Sequence, residues 1–154
     1  MTRPDWDEYY LGIARAVSAR ANCSRRQVGA VIVVHNAIIA TGYNGTPIGV
    51  RNCNEGGCPR CASDAPTGAG YDACICVHAE QNAIVFAARH GNATNEGVLY
   101  TTLRPCFGCA KEAIQAGIRR IVFAEPFAYD AELEEVYLRL IRESGIELVE
   151  RAVR

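Results

Sequence analysis

Apolar positions change their period several times along this chain, and each change marks an element. Trp6, Tyr9, Tyr10, Ile13, Ala14 and Val17 recur at three- and four-residue intervals, which predicts an amphipathic helix opening after Pro4 and Asp5. The β-branched run Val28 to Val34 predicts a strand, His35-Asn36 a tight turn, and Ala37 to Thr41 the second arm of a hairpin. Residues 42–76 lose all periodicity and become rich in Gly, Pro, Asn, Asp and Cys. This reads as a long ordered loop, a length that compact domains keep for function or pin by other bonds. A helix is expected from His78 to about Arg89, ending at Gly91. Its apolar residues (Ala79, Ala83, Ile84, Val85, Phe86, Ala87, Ala88) surround the axis, so burial on all sides is expected. Val98 to Thr101 reads as a strand, Cys106 to Ala116 as a helix closed by Gly117, and Ile121 to Ala124 as a further strand. Leu133, Val136, Tyr137, Leu140 and Ile141 mark a last amphipathic helix stopped by Gly145, with an edge strand at Ile146 to Val149. With no repeats or linkers, the alternation predicts one α/β domain over residues 1–154, a three-layer sandwich with a five-stranded mixed sheet between helices.

Composition narrows the classes. Residues that are 49% hydrophobic and 21% charged fit an ordinary globular protein. No apolar run approaches the roughly 18 residues that a membrane span needs. The segment Met1 to Asp7 lacks the apolar stretch of a secretion signal, so a cytoplasmic location is expected. A net charge of −1 argues against a nucleic-acid footprint. Eight cysteines in a chain of this length, without an export signal, point to metal ligands rather than a disulfide framework.

The chemistry concentrates in His78-Ala79-Glu80 and Pro105-Cys106-Phe107-Gly108-Cys109. Cys106 and Cys109 are three residues apart at a helix start, so both thiols share one face. The positive end of the helix dipole is expected to favour both thiolates. Pro105 suits a helix entry. With His78 they offer three zinc donors and leave a fourth position for water, as catalytic rather than structural zinc requires. Glu80, two residues after His78, has poor spacing for a ligand but can lean from the first helical turn toward that water. A zinc ion there brings the water's pKa near neutrality. A lone Cys-x-x-Cys is ordinarily a structural knuckle or a redox pair, and a lone His-x-Glu means little. The combined order H-x-E…P-C-x-x-C is the signature of zinc-dependent nucleobase deaminases. The competing reading is a purely structural zinc closed by Glu80 or another thiolate, in which Glu80→Ala would only destabilise.

Four stretches carry a closer likeness: Gln27-Val28-Gly29-Ala30-Val31-Ile32-Val33, Gly42-Tyr43-Asn44-Gly45-Thr46-Pro47, His78-Ala79-Glu80-Gln81-Asn82-Ala83-Ile84, and Tyr100 to Lys111. On these the chain, from Trp6 to Val149, resembles the deoxycytidylate (dCMP) deaminase family within the cytidine deaminase superfamily. The resemblance implies hydrolytic deamination of dCMP to dUMP, which supplies thymidylate synthesis. It assigns the catalytic Zn²⁺ to His78, Cys106 and Cys109, and proton transfer to Glu80. It places Asn44 on the sugar and the backbone N–H of Ala79 on the pyrimidine carbonyl. It further implies a homo-oligomer (hexamer or dimer) and regulation by dCTP and dTTP, commonly with Mg²⁺ on the effector. Gly42, Tyr43, Gly45 and Arg89 fall at effector or interface positions of phage-type relatives. Arg25, Arg26 and Arg104 are candidates for the 5′-phosphate. Phe127 stands where relatives often carry Tyr. Cys23, Cys53, Cys58, Cys61, Cys74 and Cys76 are expected to hold a second, structural zinc, either around Cys23, Cys53 and Cys76 or as a knuckle of Cys58, Cys61, Cys74 and Cys76. Rival functions are a free-base or nucleoside deaminase (cytosine, guanine or cytidine), a tRNA adenosine deaminase that the charge disfavours, and a non-catalytic zinc module.

Overall fold

The structure is a computed structural model, describing residues 2–152. Asp5 opens helix α1 (Trp6–Ser18) through a reciprocal cap: its carboxylate accepts the Glu8 N–H, and the Glu8 side chain accepts the Asp5 N–H. Strands β1 (Gly29–Val34) and β2 (Ala37–Tyr43) form the expected hairpin, with His35 and Asn36 both at positive φ (48° and 61°). Such a turn matches the twist of the strands it joins. β2 runs two residues beyond the expected end, as far as Tyr43. From there the chain passes through two single-turn helices, Cys53–Glu55 and Tyr71–Ala73, and returns to the end of β2. The return is fixed by two backbone hydrogen bonds between Gly45 and Val77.

Next come α2 (Ala79–Arg89), β3 (Val98–Leu103), α3 (Phe107–Gln115), β4 (Arg120–Glu125), α4 (Ala131–Ser144) and β5 (Glu147–Glu150). The sheet order is β2-β1-β3-β4-β5; β1 is antiparallel to both neighbours, while β3, β4 and β5 are parallel. The strand alternation sorts the core into two layers. Val31, Val33, Val98, Tyr100 and Val122 meet Tyr10, Leu11 and Ala14 of α1 on one face. Ala30, Ile32, Leu99 and Ile121 meet α2, α3 and α4 on the other, through Ala79, Ala83, Ala110, Ala113, Tyr137 and Ile141. Alanines at these contacts let the helices that carry the site lie close to the sheet.

One expectation fails at α2. Only Ala79, Glu80, Ala83 and Ala87 are buried, and Val85 is 55% exposed. The helix rests on the sheet by one stripe and leaves the opposite side uncovered in the single chain. The outer face of the sheet is tied by Asp7, whose carboxylate accepts two hydrogen bonds from Arg120 (2.8 and 2.9 Å) and one from Tyr100 (2.9 Å).

Candidate metal centre and active site

Two helix starts converge just past the C-terminal end of β3. His78 is the residue before α2 and Cys106 the residue before α3, both with extended backbone. His78 Nδ1 lies 3.3 Å from Cys109 Sγ and 3.5 Å from Cys106 Sγ. A tetrahedral zinc with ordinary bond lengths sets such N···S edges at about 3.5 Å. The three donor atoms therefore fit the ion, and together they are the whole of this donor group. Glu80, 5% exposed, points into the same place within hydrogen-bonding reach of Cys109.

Electrostatics separate the two thiols. The hydrogen bond from Cys109 holds Cys106 down to about 4, and His78 adds to this. The same bond and burial push Cys109 far up. Two adjacent sulfurs share one negative charge until a cation lets both ionise. The His78 imidazole is raised by the Cys106 thiolate beside it. Burial raises Glu80, so its carboxyl keeps a proton at higher pH than an exposed one would.

Neighbouring segments position these groups. The His78 N–H donates to Gln81 Oε1 (2.9 Å), fixing the entry to α2. Asn82 Nδ2 donates to the Tyr43 carbonyl (2.7 Å), tying α2 to the end of β2. Gly42 is required there, since a Cβ would lie 2.2 Å from the Ala79 carbonyl and 2.5 Å from the Ala83 nitrogen. At Gly45 a Cβ would collide with the Asn22 side chain at 2.6 Å. Both glycines thus have a packing role inside one chain, and Tyr43 takes part through its backbone carbonyl. Arg89 ends α2, exposed. The first-turn N–H of Ala79 has no carbonyl within its own helix to receive it.

Asn44 is buried, its Oδ1 accepting the Val28 N–H (2.8 Å) and its Nδ2 donating to the Arg26 carbonyl (2.7 Å). The second Nδ2 hydrogen remains for another acceptor. Of the arginines, Arg104 is buried in an ion pair with Glu134 (3.0 Å) and lies 4.0 Å over the Tyr137 ring. Arg25 spends its guanidinium on the carbonyls of Arg60, Cys61, Ser63 and Ala65. Arg26 is exposed beside Glu125 (3.0 Å). Phe127 packs edge-on against Tyr129, and it is the Tyr129 hydroxyl that accepts the Phe107 N–H (2.9 Å) at the start of α3. Sequence reasoning gave Gln81, Asn82 and Tyr129 no role. Gln81 at the third position of a helix was a readable capping signal, whereas Tyr129 reaches its partner across 22 residues and left none.

The remaining six cysteines gather under the long loop. Cys23, Cys53, Cys61 and Cys76 bring their sulfurs within 4.8 Å of one another, and so do Cys58, Cys61, Cys74 and Cys76. None is in a disulfide.

Comparison with known proteins agrees with this geometry. Residues 4–125 match the model of the cytidine and deoxycytidylate deaminase zinc-binding region. Among curated proteins the chain is 42% identical to the deoxycytidylate deaminase of Schizosaccharomyces pombe, over 95% of its own length and 44% of that protein's. It is 43% identical to the deoxycytidylate deaminase of Mycobacterium phage D29, over 80% of its own length and 97% of the phage protein's. The chain thus spans less than half of the fungal relative and nearly all of the phage one. Among solved structures, the dCMP deaminase of cyanophage S-TIM5 in complex with dCMP and dUMP superimposes with a TM-score of 0.74 at 28% identity, covering 98% of this chain and 100% of that one.

Proposed function

Because this chain belongs to the family of zinc-dependent cytidine and deoxycytidylate deaminases, we propose that it hydrolyses dCMP to dUMP and ammonia. The observation that carries the reading is the junction of two helix starts, where three zinc donors meet one buried carboxylate. When bound to His78 Nδ1 and the sulfurs of Cys106 and Cys109, zinc supplies a water acidified to near neutrality.

The chain's own residues do the rest. Glu80 takes a proton from the attacking water and delivers it to the ring nitrogen beside C4, then assists the departing amine. Water adds its oxygen at C4 and the amino group leaves as ammonia, so the atoms balance. Burial suits Glu80 to this relay, since general acid–base groups work best with a pKa drawn toward the working pH. The Ala79 N–H binds the pyrimidine carbonyl, and the remaining N–H of Asn44 binds a sugar hydroxyl. Of the three arginines considered for the 5′-phosphate, Arg26, whose carbonyl already holds Asn44, is the one held only by an exposed pair with Glu125, whereas Arg25 is spent on loop carbonyls and Arg104 on Glu134.

Zinc in the thiol cluster pins the loop that ends at His78. Regulation by dCTP and dTTP, with Mg²⁺ on the effector, and assembly into a homo-oligomer (a hexamer or dimer) complete the reading. The supporting feature is the uncovered side of α2, where the exposed Val85 and Arg89 stand one turn apart. Turnover of dCMP, deoxycytidine, cytosine and guanine, read by ammonia release, is the test. Preference for dCMP by at least tenfold in kcat/KM is expected. Equal or faster turnover of deoxycytidine or a free base would transfer the chain to a nucleoside or base deaminase.

A further inference from the structure

The six cysteines outside the catalytic centre had suggested two alternative zinc sites. In the structure the two sulfur groups overlap. The two four-sulfur groups share Cys61 and Cys76, leaving Cys23 and Cys53 on one side and Cys58 and Cys74 on the other. We infer that the loop holds a two-metal thiolate cluster, in which Cys61 and Cys76 each bridge two zinc ions. Cys23 and Cys53 complete the tetrahedron of one ion, and Cys58 and Cys74 that of the other. This rests on the cluster being a zinc site, and goes beyond it in number and connectivity.

Spacing supports both halves. Two thiolates on one tetrahedral zinc sit about 3.8 Å apart. Cys58 and Cys74 are 3.8 Å apart, and Cys23 and Cys61 are 3.9 Å apart, so each half already carries an edge of the right length. Each half also aims backbone donors at a terminal sulfur. The Ser24 N–H points at Cys53 Sγ (3.3 Å), while the N–H groups of Cys61 and Ile75 point at Cys58. Donors aimed at sulfur stabilise thiolates, and they serve both halves rather than one.

The surroundings supply charge of the right sign. Arg60 is 6% exposed, yet it donates only to the neutral carbonyls of Pro66 and Ala69 and stacks 4.2 Å over Tyr71. Arg25 likewise spends itself on loop carbonyls, one of them that of Cys61. Among the described residues neither guanidinium has a carboxylate partner. A buried cation needs compensating charge. Two Zn²⁺ and six thiols that release six protons give a cluster of net charge −2, next in the chain to the buried Arg60, which adjoins Cys61. Because Cys76 lies two residues before His78, the cluster also anchors the backbone that presents the catalytic imidazole.

Zinc counting on the full chain, purified with zinc and measured by native mass spectrometry, tests this independently of any activity. Wild type is expected to carry three zinc ions, and His78→Ala two. Zinc X-ray absorption of either protein is expected to show a metal–metal distance of roughly 3 Å, as bridging through shared thiolates requires. Two zinc ions in wild type would overturn the bridged cluster while leaving a single structural zinc. One zinc, with the six cysteines free or oxidised, would overturn both. Three zinc ions without the short metal–metal distance would also reject bridging. Should His78→Ala fail to fold, the wild-type count and spectrum decide alone.

Discussion

At the scale of single residues, Asn44 shows why a side chain's role is hard to read from its type. The sequence offers an Asn-Gly pair, ordinary turn chemistry, and a likeness that assigns the amide to a sugar. The fold uses both of its polar atoms to bracket the chain before β1. Asn44→Ala is therefore expected to cost about 1–3 kcal/mol of stability, the penalty for buried backbone groups left unpaired. It should also raise KM for dCMP more than it lowers kcat, which thermal melts and steady-state kinetics check together. Arg104 carries the opposite lesson. Its place before Pro105 suggested a phosphate ligand, but Glu134, thirty residues away, takes the guanidinium. No local pattern announces a partner at that separation.

At the scale of elements, the helices were legible because their apolar periods are clean and their caps are chemical. Asp5 before α1 and Gly145 after α4 stand where the structure ends those helices. The sequence pattern ends β2 at Thr41 because Gly42 opens the glycine-, proline- and cysteine-rich stretch, whereas Gly42 is there for close approach to α2. Gly42→Ala is accordingly expected to destabilise by about 1–3 kcal/mol through overpacking. It should lower kcat as well, because the helix it displaces carries Glu80 and follows His78. The tie between α1 and the sheet gives a pH prediction. Hydrogen bonds from Arg120, then Tyr100, hold the Asp7 carboxyl below its ordinary range. The folded state thus binds that proton more weakly than the unfolded chain, so the contribution is complete above about pH 4 and is lost as pH falls through the folded value. Asp7→Asn should destabilise by about 1–3 kcal/mol at pH 7, discounted for partial exposure. The gap to wild type should close in denaturation series below pH 4.

At the scale of the molecule, the five-stranded mixed sheet followed from the alternation of elements, and its order joins His78 and Cys106, 28 residues apart in sequence, at one point beyond β3. What the alternation could not give is which side of α2 stays bare. Ala, Val and Phe all around an axis look buried until the sheet's small contact stripe is seen. The long loop was legible as pinned, but its pin was not, since six cysteines allow many partitions. Its dependence on metal is testable. Exhaustive chelation is expected to lower Tm and expose the segment between Gly45 and Val77 to proteolysis, and zinc should restore both, because structural zinc contributes folding free energy directly.

The central claim is that a buried carboxylate works beside a three-donor zinc centre. Its most direct test is dUMP formation from dCMP by wild type and Glu80→Gln, with zinc content measured on the same samples. The account predicts unchanged zinc and a loss in kcat of roughly 10²–10⁴-fold, the span of general acid–base catalysis. Full zinc with kcat within a few fold of wild type would contradict it.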